Sequence, residues 1–204
     1  LFGQANGFYE YASKLDGSRS PDNLAFMRNE REFFNHQLTE QVNGHFGVTI
    51  ARNFLHDSFM FLFYTELKNS KDETLSAIAA KSLKEVKYHL RHSSNWLIRL
   101  GDGTKVSKSK VQEALNNLWK YTGELFEMDE IDNEILNLGI GVDNSKLRYK
   151  WNDLINKTLN KAKLNRPKDD YMATGSKKGI HTEHLGFLLA EMQFLPRAYP
   201  NAKW

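Results

Sequence analysis

Cysteine is absent from this chain of 204 residues. That excludes disulfides, thiolate metal sites, iron–sulfur clusters and cysteine nucleophiles, and it fits a reducing, cytoplasmic setting. Proline is scarce: Pro21, Pro167, Pro196 and Pro200 are the only four, and positions 22–166 hold none. So long a stretch without the residue that breaks helices points to an all-α protein. Long apolar runs are also lacking. The best, Phe54 to Phe63, is interrupted by His56, Asp57 and Ser58 and falls short of the ~18 residues a membrane helix needs. Charge is nearly balanced, 28 Lys and Arg against 25 Asp and Glu for a net +3, which does not call for nucleic acid. No basic-then-apolar leader, internal repeat, G-x-S-x-G nucleophile motif or dinucleotide fingerprint is present.

What is present is helical periodicity. A chain of this length can bury roughly 70% of the surface its unfolded form exposes, so a single domain over residues 1–204 is expected to hold itself together. LFGQANGFYEYASKL reads as mid-helix from its first residue, a helix cut open with its N-terminal part missing. Ser20-Pro21 is a cap and first-turn pair and predicts a helical segment through PDNLAFMRNEREFFNHQL. His45 to Lys68 is the most apolar helix, with Ile50, Phe54, Met60, Phe61 and Tyr64 along one side and Asp57 on the same stripe. Lys71-Asp72 opens a long helix that stops at Gly101. Ser107 or Ser109 caps the next, Glu127 to Asn137 is a short acidic helix, and Asp143 starts another with a stripe of Leu147, Trp151, Leu154, Ile155 and Leu159. Ile180 to Leu195 is the last helix, ended by Pro196. Long helices joined by short loops predict an up-and-down bundle with short accessory helices, where sites are built from facing side chains.

Ionisable groups interrupt three of the apolar stripes. On the helix from Ala77 to Leu100, Glu85, His89 and His92 share a face with Ile78, Ser82 and Trp96. A metal site and a hydrogen-bonded polar cluster are both open readings. Di-iron bundles take Glu-x-x-His from each of two helices. Here the residue three before His89 is Val86, which has no donor, and Glu85 is displaced by one position, or about 100°. In HTEH, residues 181–184, the residue three before His184 is His181, and Glu183 is again one place off. Asp57, among aromatics, needs a partner. Lys81, Lys84, Lys87 and Arg91, with Lys105, Lys108 and Lys110 beyond, form a basic series. A solvated face is the simpler reading of it, a site for an anion or an acidic partner the sharper one. GSKKG, residues 175–179, precedes the last helix without P-loop spacing and reads as a basic turn.

The blocks LAFMRNEREFFN, VNGHFGVTIARNF, AAKSLKEVKYHLRHSSNWLIRLGDGT, LWKYTGELF and KKGIHTEHLGFLLAEMQFLPRAYPNAKW resemble, in that order, the C subunits of the phenylacetyl-CoA 1,2-epoxidases. These belong to multicomponent ring-epoxidising oxygenases of bacterial phenylacetate breakdown. The resemblance runs from Leu1 to Trp204 and implies a ferritin-like bundle without metal, a structural partner of an A subunit that carries the di-iron centre and binds the acyl-CoA. A reductase component would deliver electrons. No cofactor in this chain, no nucleic acid and no membrane are then expected, and self-association stays open. Val86 and His181, where the two motifs lack Glu, agree with a non-catalytic member. Asp57, Glu85, His89, Glu183 and His184 are expected to replace the metal with a core polar network. The alternatives are an active di-iron or manganese oxidase with atypical ligands, and a stand-alone helical adaptor.

Overall fold

A computed structural model of the chain describes residues 2–200. Among these residues the secondary structure is entirely helical. In chain order the α-helices are α1 (Phe2–Asp16), α2 (Pro21–Phe26), α3 (Gln37–Glu40), α4 (Phe46–Leu67), α5 (Glu73–Gly101), α6 (Lys105–Leu118), α7 (Glu130–Asn137), α8 (Asn144–Lys161) and α9 (Glu183–Ala198). The expected all-α bundle is therefore present, with α4, α5, α6 and α8 as its long core helices.

Most starts follow local chemistry. The Ser20 hydroxyl accepts from the Asn23 amide with Pro21 in the first turn, and Asp72 accepts from Leu75 at 2.9 Å to open α5. Asp143 caps α8 as expected, and Asp129 closes a capping box with Asp132 at the head of α7.

Several boundaries differ from the sequence expectation, among them the acidic helix, which begins at Glu130 and not at Glu127 because Asp129 and Asp132 cap it there. The helix from Pro21 stops at Phe26, because Arg28 turns back to donate to the Leu24 carbonyl at 2.6 Å and to the Glu32 carbonyl at 2.8 Å. The irregular chain that follows lets Phe33 and Leu38 enter two separate apolar clusters. One helix would have set them about 140° apart on a single rod. The cap of α6 is Thr104, not Ser107 or Ser109, and its hydroxyl accepts from the Ser107 amide at 3.1 Å. The last helix begins at Glu183 instead of Ile180 and runs through Pro196 to Ala198, leaving His181 outside it. Proline removes one N–H but keeps a helical φ, so a further turn forms beyond it.

The main core centres on α4, with α5, α6 and α8 packed around it. Phe54 and Leu55 of α4, Leu97 of α5, Val111 and Leu115 of α6, and Trp151 and Ile155 of α8 are essentially sealed from water. The Trp151 ring meets those of Trp119 and Phe126 at 5.6 and 5.4 Å, and its indole N–H donates to the Leu55 carbonyl at 3.1 Å. The end of α5 closes on the end of α8 so tightly that a Cβ on Gly101 would lie 2.3 Å from the Ala162 carbonyl oxygen. A smaller cluster, Phe33 with Leu185 and Leu189 and Met192 beside them, seats α9 against α2, α3 and the turn Glu30–Glu32.

Candidate functional site

Of the ionisable groups expected on the long helices, Asp57 and His89 lie where α4 and α5 face each other. Midway along α4, Asp57 accepts a hydrogen bond from the Ser93 hydroxyl of α5 at 2.8 Å. That hydroxyl also lies 3.0 Å from the His89 carbonyl, and one proton cannot serve both acceptors fully. Burial pushes the Asp57 carboxyl above its usual range, against the opposing pull of Ser93, His89 and His92. His89 is half-buried, its ring 6.2 Å from that of Tyr88.

One turn earlier on α5, Glu85 turns toward α1. It accepts from the Gln4 amide at 2.6 Å, and that bond holds its carboxyl below the usual range. Beside Ser82 and Glu85, burial drives the Tyr64 phenol up to about 12. Val86 faces the apolar core, 3% exposed.

The residues of the second motif belong to another part of the molecule. The His181 side chain is fully buried in the segment before α9. Its Nδ1 lies 2.6 Å from Glu40 Oε1 and its Nε2 lies 2.8 Å from the Phe33 carbonyl oxygen. A carbonyl only accepts, so Nε2 donates to Phe33, and Nδ1 is left facing the Glu40 carboxyl. Glu40 also accepts from Asn35 Nδ2 at 2.9 Å, the Thr182 amide at 2.8 Å and the Thr182 hydroxyl at 2.7 Å. Glu183 is exposed and His184 half-buried, and neither makes a hydrogen bond or ion pair among the described residues.

The five residues expected to form one core network are therefore divided. Asp57 and His89 lie together, Glu85 joins them only along the same helix face, and Glu183 and His184 are apart on α9. The physical reason is the late start of α9. His181 and Glu183 do not share a helix face with His184, and α9 packs on α2 and α3. Neither position where a di-iron bundle would take its Glu ligand offers a free donor. Val86 has none, and both nitrogens of His181 are engaged.

Sequence reasoning missed four groups withdrawn from water, two acids and two histidines. Glu40 stands in LTEQ without periodic signal. Glu124, 1% exposed, accepts from the Gln37 amide, and burial raises its carboxyl above the usual range. An acid flanked by apolar residues in YTGELF was the available sign. His36 and His56, with rings 6.5 Å apart, are pushed by desolvation down to about 3 and about 4. The GSKKG turn is a clamp. Lys177 pairs with Asp132 of α7, and Gly179 holds a left-handed φ of 68° with no room for a Cβ against the Arg31 backbone. Phe33 is buried and Phe34 exposed. No described helix is long and apolar enough to cross a membrane.

Comparison with known proteins covers the whole chain. The Phenylacetic acid catabolic protein family, ferritin-like in fold, matches residues 1–204. The chain is 49% identical over 204 residues to the C subunit of the 1,2-phenylacetyl-CoA epoxidase of Escherichia coli (strain K12), a match spanning 100% of this chain and 82% of that relative. A bundle with interrupted ligand motifs, a family match from end to end and a relative this similar lead to one statement: the chain belongs to the phenylacetic acid catabolic protein family.

Proposed function

We propose that the chain is a cytoplasmic, non-catalytic structural subunit of a phenylacetyl-CoA epoxidase, holding a catalytic A subunit that carries the di-iron centre. The similarity to the C subunit of such an epoxidase supports the assembly. The observation that carries the non-catalytic part is Val86: the ligand position of α5 is filled by a side chain without a donor, packed into the core. His181, tied to Glu40 and Phe33, supports it at the other position. In this reading the chain itself binds no metal, and its bundle offers a rigid surface on which the catalytic partner packs.

The test has two arms. Protein purified without chelator is expected to contain no stoichiometric iron or manganese by elemental analysis. Mixed with the A subunit at micromolar concentration, it is expected to co-elute in size exclusion, with a buried interface above ~2,000 Å² if the complex is obligate. Stoichiometric metal, or separate elution of the two chains, refutes the reading.

A further inference from the structure

The outward face of α5 is chemically one-sided. From Lys81 to Arg99 it exposes Lys81, Lys84, Lys87, Arg91 and Arg99, together with Tyr88 and His92. No acidic residue in this span is exposed, Glu85 being half-buried and held by Gln4. None of the five cations makes an ion pair among the described residues. They span about 27 Å of helix, and from Lys81 to Arg91 they succeed one another at spacings of three and four, where like charges repel. The chain as a whole is only +3, so the stripe reflects placement and not bulk composition.

Its C-terminal half has a second property. The Arg91 guanidinium lies 5.4 Å from the Tyr88 ring centre, and that of Arg99 lies 5.4 Å from the Trp96 ring centre. Phe46, half exposed at the head of α4, meets Trp96 edge-on at 5.1 Å. Tyr88, Arg91, His92, Asn95, Trp96 and Arg99 line a shallow cleft of about 230 Å³. Arginine and aromatic residues are the types enriched at the energetic centres of protein interfaces. Stacking on the rings also orders the two guanidinium groups in advance, which reduces the entropy lost on docking. A nucleic acid fits less well, because Arg91 and Arg99 lie over the rings that bases would stack on.

We infer that the Lys81–Arg99 face of α5 is the docking surface for an acidic protein surface, and that this surface belongs to the catalytic subunit. The inference rests on the structural-subunit reading and names the face it uses. Three lysines without an ion-pair partner, followed along the helix by two pre-ordered Arg–aromatic pairs, are complementary to carboxylates that bring apolar contact with them. Such a surface sets the association rate and the salt dependence as well as affinity.

The test measures binding of the full chain to the purified catalytic subunit by biolayer interferometry at low and at moderate salt. Wild-type binding is expected to weaken as salt rises. Arg91→Glu with Arg99→Glu is expected to weaken it at low salt by about 30-fold or more and to flatten the salt dependence. Trp96→Ala is expected to weaken it by about 10-fold. Lys146→Glu with Lys157→Glu, an equal charge change on exposed positions of α8, is expected to leave it within about twofold. Unchanged thermal melting of each variant shows that the fold is intact. If the α5 double variant binds within about twofold of wild type, the docking face is wrong while the structural-subunit reading stands. If wild type shows no binding to the catalytic subunit, both fail. Binding of random duplex DNA as tight as that of the catalytic subunit would overturn the inference in favour of nucleic acid.

Discussion

Asp57 and Glu40 are both carboxylates withdrawn from water beside a histidine, and the fold treats them in opposite ways. Asp57 has one hydroxyl donor, shared with a helix carbonyl, and burial raises its pKa. Glu40 is more deeply buried yet has Asn35, His181 and both polar hydrogens of Thr182 arrayed on its two oxygens. The difference shows that donor count, not depth, decides whether a buried acid strains a fold or fastens it. Helix faces supply Asp57 with few donors, because helical backbone N–H groups are already committed. Glu40 closes the short helix α3 beside the irregular chain that leads into α9, and the free amide at the start of α9 completes its shell.

The largest effect should come from breaking the fastened site. Glu40→Ala would leave His181, Thr182 and Asn35 without their acceptor, and a loss of about 3–5 kcal/mol in urea-induced unfolding is expected. Because among the described residues α9 is seated through a small cluster, Phe33 against its own Leu185 and Leu189, hydrogen exchange should show its protection lost before that of α4 or α8. Equal exchange in all helices would contradict the contrast.

The second effect is a pH dependence set by His36 and His56. Unfolded histidine titrates near 6.5, whereas burial holds these two down to about 3 and about 4. Below pH 6.5 the unfolded chain takes up protons that the folded chain refuses, so stability falls as pH is lowered from about 6.5 toward 4. The loss per histidine is on the order of 1–3 kcal/mol. The raised carboxyls of Asp57 and Glu124 act oppositely, binding a proton in the fold while the unfolded groups are still ionised. Melting curves from pH 7 to 4.5 should therefore show a decline that His56→Phe makes shallower. An unchanged slope in that variant would remove His56 from the account.

Asp57→Asn is expected to be neutral or to stabilise the protein by up to about 1 kcal/mol at pH 7. A carboxyl with a raised folded pKa costs stability when ionised, and an amide keeps the Ser93 contact. A loss above 2 kcal/mol in denaturant titration would show that the ionised form is needed there. The smallest effect should come from Glu183→Ala, within ±0.5 kcal/mol, because its exposed side chain has no described partner. A larger loss in the same titration would restore α9 to the polar network expected from sequence.

Much of the fold was legible because its signals are local. Period, caps at Ser20, Asp72 and Asp143, and the stripe of Leu147, Trp151, Ile155 and Leu159 all act within a few residues. The stretch after Phe26 was misjudged because the Arg28 guanidinium, donating to the Leu24 carbonyl, and the Glu32 carboxylate, accepting from the Asn29 amide, end that helix through side-chain bonds that apolar periodicity does not register. The candidate site was less legible. Glu85 and His89 share a face, as their spacing requires, but only packing turned Glu85 to Gln4 and brought Asp57 to Ser93. His181 and Glu40 are 141 positions apart, and no local pattern marks their pairing.

By itself the sequence determined an all-α chain, most helix starts, the absence of thiol chemistry and the missing Glu at positions 86 and 181. These follow from residue identity and from interactions three or four residues long. Tertiary structure alone decided which acids are satisfied, which histidines stay neutral and which cations of α5 are left without a partner. Each of those depends on what the fold brings alongside, and a carboxylate's or an ammonium's free energy is set by its neighbours and its access to water.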